Sequence, residues 1–240
     1  MKVVENLFPE LCNIYGESYS VEYLSRCNGD IKLVQTNHKD VPAFVTEDVD
    51  MVYLGCSSER KQEQIIEILK PYKARIKELI DKGTIFLATG NAIEVFGKSI
   101  KDEDRVIEAL GLFEFDSVRY MEAERHNSQY VGSFKADNGP ITMLGHRSQF
   151  SFAYGDFENF PHWLDIEIGI GMNKETKREG IHYNNFFATY SLGPCLIMNP
   201  LFAKYLLRLM DIDDSLLFEN EIMEAYEYRK HELRENLANS

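Results

Sequence analysis

Short apolar runs alternate with helical patterns through the first half of this chain, and no other feature of the sequence limits its fold as strongly. Four runs have the length of buried strands and are separated by helix-length segments: Lys2–Leu7, Ile31–Gln35, Met51–Leu54 and Ile85–Ala88. This order is typical of a parallel sheet whose crossover helices cover both faces. We therefore predict an α/β fold with a mostly parallel sheet between two helical layers.

Start and stop signals mark two helices between the third and fourth strands. Ser57 or Ser58 can cap the first, which begins at Glu59, because a hydroxyl accepts hydrogen bonds from free amides of a first helical turn. Pro71 starts the second, and a glycine ends it after Lys82. Further helices are predicted over Tyr19–Arg26, Ala92–Phe96 and Pro200–Met210.

The second half of the chain reads mainly as strands separated by Gly, Asn and Asp turns. Tyr130–Phe134, Ile141–Leu144 and Phe186–Tyr190 predict antiparallel additions to the sheet. No repeat or low-complexity linker interrupts the chain, which favours a single domain over residues 1–240. Within it, 211–240 is predicted to be a C-terminal helical tail, because apolar residues recur there at helical spacing among acids.

Composition argues against several classes of function. The net charge of −13 disfavours nucleic acid and anionic membrane surfaces as partners. The amino terminus carries glutamates instead of a basic signal-peptide start, so we expect a cytoplasmic protein without membrane insertion. The cysteines are scattered, which predicts reduced thiols and no metal site, and we expect no cofactor. They are Cys12, Cys27, Cys56 and Cys195.

The turns after the third and fourth strands are the expected place for a functional site. In an open parallel sheet, ligands bind outside the carboxyl ends of the strands. These turns are Gly55–Ser58 and Thr89–Asn91, and the second links a strand directly to a short helix. Such a strand–turn–helix is the geometry of a nucleophile elbow, which exposes one side chain beside backbone amides. No obvious nucleophile stands at this tip.

Several segments resemble class I glutamine amidotransferases of the cobyric acid synthase (CobB/CobQ) type. Leu87–Lys98 is similar to their nucleophile elbow, and Gly55–Arg60 resembles their oxyanion loop. Glu179–Pro194 resembles the segment around the catalytic histidine, and Asn13–Gly16 the opening turn. The resemblance extends nearly end to end and is strongest to the glutaminase subunits of lipid II isoglutaminyl synthases. It implies a three-layer, flavodoxin-like fold.

The catalytic positions that the resemblance implies hold other residues. The nucleophile falls on Gly90, which has no side chain with which to attack an amide. The general base falls on Leu192, which cannot accept a proton. The arginine expected to hold the glutamine carboxylate falls on Gln129, although Arg125 is a candidate to replace it.

Other motif positions are changed as well. Asn91 takes the place of an elbow glycine, and Glu94 that of a glutamine. Glu94 either places a carboxylate in the former glutamine pocket, or is a helix residue that points to solvent or pairs with Lys98 four residues later. A slip of one residue would bring Thr89 and Ser191 to the catalytic positions, a hydroxyl pair that makes a poor glutaminase.

Three further side chains are candidates for a role at the site. Cys56 lies in the oxyanion loop and is either a displaced nucleophile or a small buried residue of a tight turn, and the second alternative is favoured because no base is near it in sequence. His146 is expected in a loop that faces the site, in contact with ligand or solvent. His182 is expected to make a structural hydrogen bond, and Phe150 and Phe152 to pack in the core.

The leading hypothesis is a pseudo-glutaminase that keeps the amidotransferase shape without hydrolysis. Since the resemblance implies a Mur-ligase-like synthetase partner that amidates a cell-wall precursor, the chain would act as a partner-binding or regulatory subunit. The enzyme alternative is an amide hydrolase that uses Cys56. A third alternative is a sensor that binds a small amide or amino acid near the turn residues, which are Gly55, Cys56, Ser57, Thr89, Gly90, Asn91, Glu94, Gln129 and His146.

Overall fold

A six-stranded sheet forms the centre of the protein, and the computed structural model describes residues 1–237. The strand order is β13-β14-β4-β3-β1-β2, and every neighbouring pair is parallel except β13 with β14. The strands are β1 (Lys2–Leu7), β2 (Ile31–Thr36), β3 (Met51–Leu54), β4 (Ile85–Thr89), β13 (Ile181–Tyr183) and β14 (Phe186–Thr189). The predicted mostly parallel α/β sheet is confirmed.

Helices cover both faces of this sheet, because its central strands are apolar on both sides. In β3, Val52 and Leu54 belong to one core cluster, and Met51 and Tyr53 to the other. The first cluster is covered by α3, α4 and α5, and the second by α1, α6 and α7. The helices are α1 (Tyr19–Cys27), α2 (Ala43–Thr46), α3 (Glu59–Leu69), α4 (Lys73–Lys82), α5 (Ala92–Val95), α6 (Cys195–Met198), α7 (Pro200–Leu209) and α8 (Glu219–Leu237).

The ends of the helices between β3 and β4 agree only in part with those predicted from the sequence. Ser58 directly precedes α3, but its hydroxyl does not cap the helix, and the Ser57 hydroxyl donates instead to the Ser58 carbonyl oxygen. The segment from Pro71 begins as a 3₁₀ turn over Lys70–Tyr72 before α4. Gly83 ends α4 with a φ of 87°, in the left-handed region where glycine is favoured.

Most strands of the second half build two smaller sheets. Their orders are β10-β7-β5-β6 and β12-β11-β8-β9. Within residues 1–237, only β13 is an antiparallel addition to the central sheet, and the strand predicted at Phe186 pairs in parallel with β4. Periodicity identifies strands but not their pairing partners. The bounds are β5 (Ser99–Asp102), β6 (Arg105–Glu108), β7 (Asp116–Arg119), β8 (His126–Ala136), β9 (Gly139–Gln149), β10 (Ser151–Tyr154), β11 (Leu164–Ile168) and β12 (Arg178–Glu179).

The predicted tail contributes α8, which packs on the β8–β9 hairpin. Tyr226 and Leu233 are buried there, and the Tyr226 hydroxyl donates to the Thr142 carbonyl oxygen at 2.9 Å. Residues 238–240 of that prediction lie outside the described residues. Across 1–237, each helix is too short or too polar to cross a bilayer.

Gly145 in β9 offers a test of the packing across the β8–β9 hairpin. A Cβ at this position would overlap the buried ring of Tyr130 on β8. We expect Gly145→Ala to lower the free energy of unfolding by at least about 2 kcal/mol, because over-filling a packed site is costly. Urea denaturation measures the change. The matched control is Gly29→Ala, whose Cβ meets no atom within 4 Å, and an equal loss in both variants would contradict the packing described.

Candidate functional site

The turn between β4 and α5 is the predicted elbow, and Gly90 stands at its tip. Gly90 adopts a φ of 62°, and its amide donates to the Ser191 carbonyl oxygen at 2.9 Å. This bond joins the carboxyl ends of β4 and β14, which are neighbours in the sheet. The predicted strand–turn–helix is therefore present at the expected edge.

Two side chains occupy the space where a nucleophile at position 90 would begin. An ideal Cβ on Gly90 would lie 2.6 Å from Cys56 Cβ, 2.9 Å from Cys56 Sγ and 3.1 Å from Leu192 Cδ2. Real Cβ atoms do not approach other carbons this closely. Cys56 and Leu192 therefore converge on the elbow and exclude a side chain from its tip.

The Cys56 thiol is poorly placed to act as a nucleophile. It is 6% exposed, and burial raises its pKa to about 12. The thiol donates a weak hydrogen bond to the Ser57 carbonyl oxygen, 3.8 Å from Sγ. Among the described residues that line the cleft around the elbow, none is a histidine. A buried, protonated thiol without a base is typical of a structural cysteine.

The backbone amide next to Cys56 is already bonded to a protein side chain. Asn91 Oδ1 accepts from the Ser57 amide at 3.0 Å, and Asn91 Nδ2 donates to the Ser57 carbonyl oxygen at 2.8 Å. The loop that resembles an oxyanion loop is thus held by the elbow itself. An amide in this state cannot also stabilise an oxyanion on a substrate.

Glu94 lies in a buried polar network beneath the elbow. Its side chain accepts hydrogen bonds from Ser151 Oγ, from Gln62 Nε2 at 2.9 Å and from the Tyr190 hydroxyl at 3.0 Å. Burial raises the pKa of the carboxyl, while these donors act in the opposite direction. The alternative that Glu94 faces solvent or pairs with Lys98 is wrong, because the side chain is fully enclosed.

Arg119 extends this network and was not identified from the sequence. Its guanidinium donates to Gln62 Oε1 at 2.7 Å, Glu63 Oε1 at 2.9 Å and Asp102 Oδ2 at 3.0 Å. Its side chain is 2% exposed, so the pairing with two acids is what allows the charge to be buried. The partners come from separate elements, and no motif connects them in sequence.

Glu17 is a second residue that the sequence analysis missed. Its buried side chain packs on two glycines, since a Cβ on Gly55 would lie 2.7 Å from Glu17 Cβ and a Cβ on Gly193 would lie 3.1 Å from Glu17 Cγ. Its carboxylate accepts from the Tyr15 amide at 2.8 Å, and burial raises its pKa. Glu17 directly follows the opening turn, and this position was the only feature of the sequence that pointed to it.

The remaining predicted residues divide into those near the cleft and those away from it. Arg125 lines the cleft, where it donates to the Tyr15 hydroxyl at 2.7 Å and lies 4.4 Å above the Phe150 ring. Gln129 is exposed in β8 and pairs in register with His146 of β9. The prediction that His146 lies in a loop facing the site is wrong, because it belongs to a strand and does not line the cleft.

Thr89 and the predicted core residues also have defined places. Thr89 is buried, and its hydroxyl lies 2.9 Å from that of Tyr53, so it does not reach the cleft. The His182 ring stacks on Phe187 with centroids 4.5 Å apart. Phe152 is buried as expected, whereas Phe150 is half-buried and lines the cleft.

The mostly parallel central sheet and the strand–turn–helix at its edge are those of a class I glutamine amidotransferase fold. A solved structure, that of PurLQS from Thermotoga maritima, superposes with a TM-score of 0.52 over 95% of this chain and 98% of that one, at 10% identity. The sequence pattern of the CobB/CobQ-like glutamine amidotransferase domain matches residues 4–199. The chain therefore belongs to the CobB/CobQ-like glutamine amidotransferase family.

Two curated relatives carry the same name. One is the lipid II isoglutaminyl synthase (glutamine-hydrolyzing) subunit GatD of Staphylococcus aureus N315, 28% identical over 204 residues that cover 84% of this chain and 78% of the relative. The other is subunit GatD of Streptococcus pneumoniae R6, 23% identical over 219 residues, covering 82% and 75%. The predicted resemblance is confirmed.

A double-mutant cycle tests the packing at the elbow. Gly90→Ala is expected to destabilise the protein through its left-handed φ and through overlap with Cys56, and Cys56→Gly should relieve only the second effect. We expect a coupling free energy of about 1–3 kcal/mol from urea denaturation of the four proteins. Gly83→Ala is the control, since it has a φ of 87° and its closest neighbour would be 3.6 Å away. Coupling of equal size between Gly83→Ala and Cys56→Gly would contradict the interpretation.

The raised pKa of Glu94 predicts a pH dependence of stability. As pH rises through the ordinary value of 4.5, the Glu94 carboxyl ionises in the unfolded chain before it does so in the folded one. The free energy of unfolding therefore falls with rising pH until the pH reaches the pKa of the folded state. Between pH 4.5 and 7.5, the wild type should therefore lose more stability than Glu94→Gln. Urea denaturation at several pH values measures both. Parallel curves for the two proteins would show that the folded pKa of Glu94 is not raised.

Proposed function

We propose that this chain is a catalytically degenerate, glutamine amidotransferase-type subunit that binds a Mur-ligase-like synthetase acting on lipid II. The names of the two curated relatives support the pathway, since both are subunits of a lipid II isoglutaminyl synthase. The observation that carries the degeneracy is the filled space above Gly90. We propose a cytoplasmic location, consistent with four free cysteines.

Hydrolysis of glutamine through a covalent intermediate needs a nucleophile, a base and donors for an oxyanion. Each requirement meets an obstacle at this elbow. Gly90 offers no attacking atom, and Leu192 offers no proton acceptor beside it. Asn91 occupies the Ser57 amide. Three independent obstacles at one turn favour lost catalysis over a rearranged mechanism.

The hydrolase alternative, with Cys56 as nucleophile, has weaker support. A thiol with a pKa near 12 is ionised in only about one molecule in 10⁵ at pH 7. The thiol faces a glycine and a leucine instead of an imidazole. Among the described residues that line the cleft there is no imidazole to activate the thiol, which is the usual remedy for a high pKa.

The small-ligand alternative is limited by space. The cleft encloses about 100 Å³, below the roughly 300–1,000 Å³ of ordinary small-molecule sites. Arg125 at its mouth is held by Tyr15 and Phe150 and retains donors for an anion. A small amide or amino acid would fit only after the loop at Ser57 moves.

The elbow keeps its shape even though its chemistry has gone. Gln62 Nε2 donates both to the Asn91 carbonyl oxygen, at 2.6 Å, and to Glu94, so α3 remains bound to the turn. Buried networks of this kind fix one geometry. A protein that keeps the surface around a former active site, but not its reaction, is suited to the role of a subunit that binds a partner.

Glutamine hydrolysis and partner binding test the proposal together. Purified wild type and Cys56→Ser, incubated with glutamine, are expected to release no ammonia above the blank, with the Staphylococcus aureus relative and its synthetase as a positive control. Co-expressed with the Mur-ligase-like synthetase of the same genome, the chain should co-elute with it in size-exclusion chromatography. Ammonia release by the wild type that is lost in Cys56→Ser would instead establish the hydrolase alternative. Failure of the chain to co-elute with the synthetase would rule out this partner.

A further inference from the structure

A second cavity lies far from the elbow. It encloses about 460 Å³ between α4, the segments 112–114 and 156–161, and β13. Tyr183 of β13 pairs with Phe186 at the amino end of β14, whereas Gly90 follows the carboxyl end of β4. The cavity and the cleft share no lining residue. This space therefore has no part in the amidotransferase site.

The cavity has aromatic walls that are fixed from behind. Phe113 packs on the buried ring of Phe186, with centroids 4.7 Å apart. Phe160 and Tyr183 meet Phe113 edge-on, at centroid distances of 6.3 and 6.4 Å. Because the rings are anchored to the core, the cavity exists before any ligand arrives. Its volume falls in the range of about 300–1,000 Å³ typical of small-molecule sites.

The charges at the rim are mainly negative. Three carboxylates line the cavity, namely those of Asp81, Glu114 and Asp156. Lys77 is the single cation among the described lining residues, and its ammonium lies 2.6 Å from Asp81. Asp156 accepts from Asn159 Nδ2 at 2.8 Å and makes no ion pair within residues 1–237. Lys98 Nζ lies 3.6 Å from Glu114, so Asp156 is the lining carboxylate that stays without an ion pair among the described residues, and its negative charge favours a cation and disfavours an anion.

We propose that this cavity binds an organic cation with a flat apolar body, an arylalkylammonium compound being the simplest example. Ring faces of Phe and Tyr attract a cation through their quadrupoles and stack on a planar apolar group. The carboxylates at the rim then neutralise the ammonium group. A ligand of this class differs from glutamine, whose side chain is polar and whose backbone carries a carboxylate.

The test compares two probes that share an indole body and differ in charge. Tryptamine and indole-3-propionate are titrated into the full chain by isothermal titration calorimetry at low salt. We expect tryptamine to bind at least about tenfold more tightly, since the ring faces and carboxylates favour the cation. Tyr183→Ala, at a largely exposed position, should weaken tryptamine binding about fivefold, and Asp156→Asn should weaken it with a smaller salt dependence.

Tyr228→Ala is the matched control, because Tyr228 is an exposed tyrosine on α8 outside this cavity. It should leave tryptamine binding unchanged. Equal affinity for both probes, or equal effects of Tyr183→Ala and Tyr228→Ala, would overturn the proposal. Binding of a basic peptide with a tryptophan, without binding of tryptamine, would also overturn it in favour of a protein partner. The outcome is independent of glutamine hydrolysis and of the synthetase.

Discussion

The close approach of Cys56 to the backbone of Gly90 is the contact on which the character of this site depends. It is possible only because residue 90 has no Cβ, and the left-handed φ of that residue keeps the turn tight. Leu192 closes the same space from the β14 side. At this turn, Cys56 and Leu192 thus make a packed apolar contact with Gly90 between neighbouring strand ends.

A layer of polar contacts below this turn preserves its geometry. Asn91 binds the loop at Ser57, Gln62 binds the turn, and Glu94 gathers donors from α3, β10 and the end of β14. Arg119 connects that layer to the mixed sheet β10-β7-β5-β6. The rigidity of the elbow therefore comes from buried hydrogen bonds, while apolar packing above them fills its tip.

Local pattern predicted much of this fold, because strand length, helix periodicity and turn residues are properties of neighbouring positions. Met51–Leu54 has the predicted bounds, and the strand and glycine tip of the elbow are where the spacing placed them. Which strands pair with each other could not be predicted from the sequence. The patterns around Phe186 and His146 indicate a strand or a loop, but they do not identify the neighbouring strand. Arg119 was missed for the same reason. Its partners are distant in sequence and meet only after the sheets assemble.

The glycine at the tip also has a bearing on the history of the chain. Under the proposed function, a single change that restored cysteine there would meet Cys56 and Leu192 at once, so it would cost folding free energy before it returned any activity. Selection acts on one substitution at a time, and a path that begins with an unstable protein is seldom taken. The packing at this turn would therefore make glutamine chemistry easier for such a lineage to lose than to regain.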